Sequence, residues 1–226
     1  MLVQRPATGM IEAVIFDMDG VLVDSEPLHQ ESTRRVLAEC GVVDRVDDPT
    51  FVGLTDVEIF TIFRARHRFE PDPVTLSRRF IAMASALMRE DARPLPGVPD
   101  VLHALRAAGY RLALASSSTP EVIAATLEAL DIRALFEHVV SAADIGRGKP
   151  APDVFLEAAR RLGVAPSACL VVEDSRNGIL AARAAGMRRV AIPCPTTRAH
   201  DFTEADLVLA SLPELLTAAT TLDLRL

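Results

Sequence analysis

Short apolar runs recur along the chain at strand length: Ala13-Val14-Ile15-Phe16, Leu112-Ala113-Leu114-Ala115, His138-Val139-Val140, Cys169-Leu170-Val171-Val172, Val190-Ala191-Ile192 and Leu207-Val208-Leu209. They are continuous rather than alternating, the pattern of strands buried on both faces. From residue 97 onward helical stretches separate them. Pro99 to Ala108 runs up to Gly109, Pro152 to Leu162 to Gly163, and Arg176 to Ala185 to Gly186, with glycine as the stop signal. Pro120 to Leu130 follows Thr119, which is expected to cap it, with proline at the first helical position. Strand alternating with helix predicts an α/β fold: a Rossmann-like parallel sheet with helices on both faces.

Residues 25–94 break this pattern. No strand run is evident. Phe80, Met83, Ala84, Leu87 and Met88 fall on one helical face; Val36, Leu37 and Cys40 suggest a second helix ending at Gly41, and Ile59, Phe60 and Phe63 a third. Pro94 and Pro96-Gly97 mark the return. These helices either extend one domain or form an inserted cap. We expect the cap, with 1–24 and 95–226 as the α/β core and 25–94 as the helical insertion.

Ligands of parallel α/β sheets bind beyond the carboxyl ends of the strands. The first run leads into Asp17-Met18-Asp19-Gly20, the second into Ser116-Ser117-Ser118-Thr119, and the fourth into Glu173-Asp174-Ser175; Gly148-Lys149-Pro150 follows the third. Carboxylates, hydroxyls and one ammonium therefore converge on one edge. Asp17 and Asp19 are two apart, so in an extended segment both face one pocket, and their repulsion favours a cation between them. An all-oxygen carboxylate set suits Mg²⁺, with Glu173 and Asp174 completing it. One carboxylate can attack phosphorus while the other moves a proton. A lone Asp-x-Asp is more often a turn; the second acidic pair after another strand is what strengthens it. Lys149 is the only lysine in a chain whose other cations are arginines. A compact ammonium bridges carboxylate and phosphate where a planar guanidinium fits less well. Ser116 and the backbone N–H groups after it can bind phosphate.

Composition narrows the partners. The chain has 226 residues, is 50% apolar and carries only 4% aromatic residues, so its core must be aliphatic and rich in alanine. A net charge of -7 argues against a nucleic-acid partner. No run is long enough to span a membrane. Cys40, Cys169 and Cys194 lie far apart without a C-x-x-C, as expected of reduced thiols in the cytoplasm, and MLVQRPATGM lacks the apolar stretch of a secretory signal.

Together Asp17-Met18-Asp19-Gly20-Val21-Leu22, the Ser116 segment, Gly148-Lys149-Pro150 and Glu173-Asp174 resemble the four motifs of the haloacid dehalogenase superfamily, in order and over nearly the whole chain. Asp24-Ser25-Glu26-Pro27-Leu28-His29, Gly148-Lys149-Pro150-Ala151-Pro152-Asp153 and Glu173-Asp174-Ser175-Arg176-Asn177-Gly178 are similar to the subgroup with a helical cap after the first strand, which holds β-phosphoglucomutase and many small-molecule phosphatases. The resemblance implies Asp17 as nucleophile and Asp19 as general acid/base that also offers its backbone carbonyl to Mg²⁺. It implies Ser116, Ser117 and Lys149 as phosphate ligands, and Asp17, Asp19, Glu173 and Asp174 around the metal. His29 matches a cap-hinge histidine of the subgroup, or is simply a helix-surface histidine.

Departures from the family sharpen the expected activity. Asp19 is absent from the dehalogenases, and the cap lacks the lysine of the phosphonate-cleaving members. Asp56, in Gly53-Leu54-Thr55-Asp56, aligns with an arginine that grips a second phosphate in β-phosphoglucomutase; a carboxylate repels phosphate, although Arg64 or Arg66 can substitute. The expected function is a Mg²⁺-dependent phosphatase of a small phosphorylated metabolite, such as a sugar phosphate, acting through an aspartyl-phosphate. A phosphosugar mutase is the alternative. A monomer is expected.

Overall fold

The computed structural model describes residues 10–48, 51, 54–222 and 224–225. It divides into two compact units. One comprises Met1–Asp24, Arg93–Pro120 and Asp131–Leu226; the other comprises Ser25–Ala92 and Glu121–Leu130.

The first unit is built on six parallel strands: β1 (Ala13–Phe16), β2 (Arg111–Ser116), β3 (His138–Ser141), β4 (Cys169–Glu173), β5 (Arg188–Ala191) and β6 (Leu207–Val208). Their order is β3-β2-β1-β4-β5-β6, the doubly wound arrangement of a Rossmann-like sheet. β1 is central, with Ala13 beside both Arg111 and Cys169, and Phe16 beside Leu114 and Val172. The order reverses at β1, so β2 and β4 leave it on opposite sides and their carboxyl ends open a crevice around Asp17.

Both sheet faces are buried. Ala13, Ile15, Ala113, Ala115, Cys169 and Val171 point to one face. There they pack with Val154, Phe155, Ala158 and Ala159 of α6 (Asp153–Leu162) and Ala181 and Ala182 of α7 (Arg176–Ala184). Small side chains on both partners let helix and sheet approach closely, which is how a chain so poor in aromatics fills its interior. The opposite face carries Val14, Phe16, Leu112, Leu114, Leu170 and Val172, all fully buried. Phe136 meets Phe16 edge-on at 6.2 Å. Helix α4 (Val98–Ala107), which buries Val98, Val101, Leu102 and Leu105, precedes β2, and the short α8 (Glu214–Thr217) follows β6.

The second unit is helical: α1 (Glu26–Glu39), α2 (Asp56–His67), α3 (Pro73–Asp91) and, joined through its contacts, most of α5 (Pro120–Ala129). α3 packs on both α1 and α2. Its interior holds two aromatic pairs: Phe60 meets Phe80 at 6.2 Å and Phe51 meets Phe63 at 5.3 Å. Thr55 and Glu58 form a reciprocal capping box at the start of α2, and Asp72 caps α3 through Thr75 N–H.

Two sequence expectations are corrected. β5 begins at Arg188 and ends at Ala191, not over Val190 to Ile192. Arg188 and Arg189 pair with Leu170 and Val171 of β4, and Arg189 N–H donates to Asp206 at 2.9 Å, a strand start that no apolar run reveals. Thr119 does not cap α5: its hydroxyl is buried and without a hydrogen-bond partner. Gly53, quoted above beside Asp56, lies outside the described residues.

Candidate active site

Asp17 follows β1 directly and its amide donates to Val172 O of β4 at 2.9 Å, so the sheet's own hydrogen bonding fixes its place. The chain then turns: Gly20 N–H donates to Val23 O at 2.8 Å and Leu22 N–H to Met18 O at 2.9 Å. The two carboxylates stay close enough for Asp19 to raise the pKa of Asp17, but they have different partners. Asp17 turns toward β4, whereas Asp19 accepts from Ser118 Oγ at 2.8 Å and from Ser116 Oγ at 3.4 Å, beyond β2.

One ligand oxygen each from Asp17, Glu173 and Asp174 lies within 4.8 Å of the others, and all three residues are buried. Lys149 enters this group from the loop after β3. Its ammonium donates to Asp17 Oδ1 at 2.5 Å, to Glu173 Oε1 at 2.7 Å and to Ala115 O at 3.1 Å, and sits 4.8 Å from the Phe155 ring centroid. All three of its protons are thus engaged. Burial opposes the charge of Lys149, but Asp17 and Glu173 outweigh it and raise its pKa above the ordinary value. Glu173 also accepts from Ser175 N–H at 2.8 Å and Ser175 Oγ at 2.9 Å through its second oxygen.

The electrostatics fit a divalent cation. If all three carboxylates were ionised, one ammonium would leave two negative charges uncompensated in a buried site. Burial pushes Asp17 well above the usual carboxylate range; Lys149 works against this, and Glu173, Asp19 and Asp174 add to it. Asp174 is pushed up to about 9, by burial first and then by Glu173 and Cys194. A hard divalent ion relieves that repulsion, and the donors are all oxygen. Gly20 makes room: at φ +76°, a Cβ there would stand 2.6 Å from Asp174 Oδ2.

The other anticipated residues fall as follows. Ser116 is fully buried, and its Oγ accepts from Ser118 N–H at 3.0 Å. Ser117 is exposed. His29 belongs to the helical unit, where its ring stacks on Phe80 at 5.8 Å. Asp56 lies in the same unit, in the first turn of α2; burial raises its pKa while His29 lowers it. Arg66 pairs with Asp44 at 3.0 Å and covers the Phe63 ring, and Arg64 reaches Phe69 O at 3.4 Å. Sequence reasoning missed Cys194 and Thr197, which lie after β5 and contact Asp174, and passed over Ser118 on Asp19. Only position after a strand end could have signalled them.

The chain matches the haloacid dehalogenase-like hydrolase family over residues 14–192. Hexitol phosphatase B of Escherichia coli is 37% identical over 209 residues, covering 91% of this chain and 94% of that protein. The crystal structure of CbbY from Rhodobacter sphaeroides in complex with phosphate is 31% identical with a TM-score of 0.83, covering 91% of this chain and 96% of that one. The putative β-phosphoglucomutase from Thermotoga maritima is 28% identical with a TM-score of 0.77, covering 93% and 99%. With the sheet order, the four polar segments at one edge and these similarities in agreement, the chain belongs to the haloacid dehalogenase-like hydrolases, in their β-phosphoglucomutase-like subgroup.

Proposed function

We propose that this enzyme is a Mg²⁺-dependent phosphatase that hydrolyses a small phosphomonoester, with sugar or polyol phosphates as the substrate class, through an aspartyl-phosphate on Asp17. The observation that carries the reading is the Asp17 carboxylate at the end of the central strand, held 2.5 Å from the chain's only lysine beside two more buried carboxylates. The similarity to hexitol phosphatase B supports the substrate class.

Asp17 attacks phosphorus, and the bond from phosphorus to the ester oxygen breaks as the new one forms. Asp19 gives its proton to the departing alcohol. It then takes a proton from the water that attacks the acyl phosphate, restoring Asp17 and releasing phosphate. Lys149 and the Ser116 segment bind phosphoryl oxygens, and Lys149 holds Asp17 in place between turnovers. Asp17, the Asp19 carbonyl and Asp174 would hold Mg²⁺, which when bound offsets charge on the phosphoryl oxygens. Glu173, with both oxygens already engaged, acts mainly by fixing Lys149 and Ser175.

Residues 25–94 are read as an inserted cap that selects the substrate, with His29 and Asp56 among its polar groups. Asp56 supports hydrolysis over a mutase, because a carboxylate is ill suited to a second phosphate. No helix among the described residues is long and apolar enough to cross a membrane. The three free cysteines support our reading of a reducing, cytoplasmic setting. We read the protein as a monomer without a nucleic-acid partner.

The test is a panel of phosphate esters, including β-glucose 1-phosphate with a trace of its 1,6-bisphosphate, assayed with Mg²⁺ and then with a chelator. Mg²⁺-dependent phosphate release without isomer supports the phosphatase. Glucose 6-phosphate with little free phosphate identifies a mutase instead.

A further inference from the structure

Asp174 is held from behind by a loop that no motif of the sequence reading included. Its Oδ2 accepts from Cys194 Sγ at 3.1 Å and from Thr197 Oγ1 at 3.3 Å. The two donors are tied to each other, since Cys194 N–H donates to Thr197 Oγ1 at 3.0 Å. Thr196 Oγ1 stands 3.0 Å from the same sulfur, so the thiol hydrogen can point at Asp174 while the sulfur accepts from Thr196. Gly20 closes the remaining side: the Cβ it lacks would be 2.6 Å from Asp174 Oδ2 and 3.2 Å from Cys194 Sγ. Thr197 is buried and Cys194 half-buried.

We infer that Cys194 and Thr197 are positioning residues for the cation site: they occupy Oδ2 of Asp174 and so present its other oxygen to the metal. The inference rests on the reading of Asp174 as a Mg²⁺ ligand. Its physical basis is general. A carboxylate ligand free to rotate loses orientation on binding a cation, whereas one whose far oxygen already accepts two hydrogen bonds is pre-oriented. The thiol is a weak donor, but with Thr197 beside it and no Cβ on Gly20 it leaves Oδ2 little room to swing.

Loss of such an orienting partner typically weakens a metal site by about 10–100-fold. The experiment is calorimetric Mg²⁺ titration of the chelator-stripped protein, compared across wild type, Cys194→Ala, Cys194→Ser and Cys194→Ala/Thr197→Val, with thermal unfolding of each variant measured without Mg²⁺. The expected result is Mg²⁺ affinity about 10-fold weaker in Cys194→Ala and weaker again in the double variant. Cys194→Ser, which keeps a donor, recovers most of the loss. The Mg²⁺ needed for half-activity should rise in parallel with the loss of affinity. Equal affinity in wild type and all variants overturns the positioning role and leaves the phosphatase reading intact. A wild-type protein that binds no Mg²⁺ overturns both. A fall in unfolding temperature without any change in affinity assigns the loop a purely structural role and also overturns the inference.

Discussion

Lys149 and Glu173 form a buried ion pair at 2.7 Å in which the carboxylate is wholly spoken for, with Lys149 on one oxygen and Ser175 on the other. The same ammonium holds Asp17 at 2.5 Å. One cation therefore serves two buried carboxylates at once, and it works against the burial that pushes Asp17 above the usual carboxylate range.

Replacing Lys149 with Met is expected to act on stability and chemistry together. It leaves Asp17 and Glu173 buried without their cation, a change that costs about 3–5 kcal/mol when one partner of a buried pair is removed. The folded fraction should lose phosphatase activity by roughly 10²–10³-fold, as for other sites deprived of one charge-stabilising donor. Lys149→Arg should not restore it, because the fork of a guanidinium cannot reproduce three converging bonds from a single nitrogen. Urea unfolding and ester turnover on the same preparations check both parts.

Gly178→Ala should destabilise the protein, against the usual trend for helices. Alanine normally gains about 1 kcal/mol over glycine inside a helix. Here the added Cβ would fall 1.8 Å from the Glu173 carboxyl carbon. A free carboxylate would swing aside, but this one is pinned by Lys149 and Ser175, so overpacking of about 1–3 kcal/mol is expected to win. Urea midpoints of the two proteins decide the sign.

Acid should loosen one link of the helical unit in a definite window. Asp44 accepts from His67 Nε2 at 2.7 Å, Arg66 Nη1 at 3.0 Å and Arg45 N–H at 2.7 Å, and these bonds, that of His67 foremost, hold its pKa down to about 2. A folded pKa below the unfolded value of about 3.9 means the contribution is complete above that value and is lost as pH falls through about 2. Asp44→Asn should therefore be less stable than wild type at pH 6, with the difference shrinking below pH 4 and vanishing near pH 2. A difference in unfolding midpoint that stays constant from pH 6 to pH 2 would contradict this.

The sheet was readable because burial on both faces leaves uninterrupted apolar runs, as in Ala13 to Phe16 and Cys169 to Val172. β5 was placed late because its first half is two arginines whose strand character comes from pairing with β4. Asp17, Lys149, Glu173 and Asp174 were legible from their places after strand ends. The Ser118 hydroxyl on Asp19 was not, since it depends on how the segment after β2 approaches the turn after Met18. Cys194 and Thr197 reach Asp174 across twenty or more positions, a tertiary closeness with no local pattern. The grouping of Glu121–Leu130 with the helical unit is likewise a matter of contacts and not of periodicity.

The most direct test of the central claim is to find where the phosphoryl group goes. Enzyme with Mg²⁺ is mixed with a hydrolysed ester, quenched in acid within the first turnover, and digested for mass spectrometry, alongside Asp17→Asn. A phosphorylated peptide carrying the group on Asp17 is expected in wild type, and neither that peptide nor turnover in the variant. Undiminished turnover by Asp17→Asn, or a phosphoryl group on any other residue, would contradict the claim.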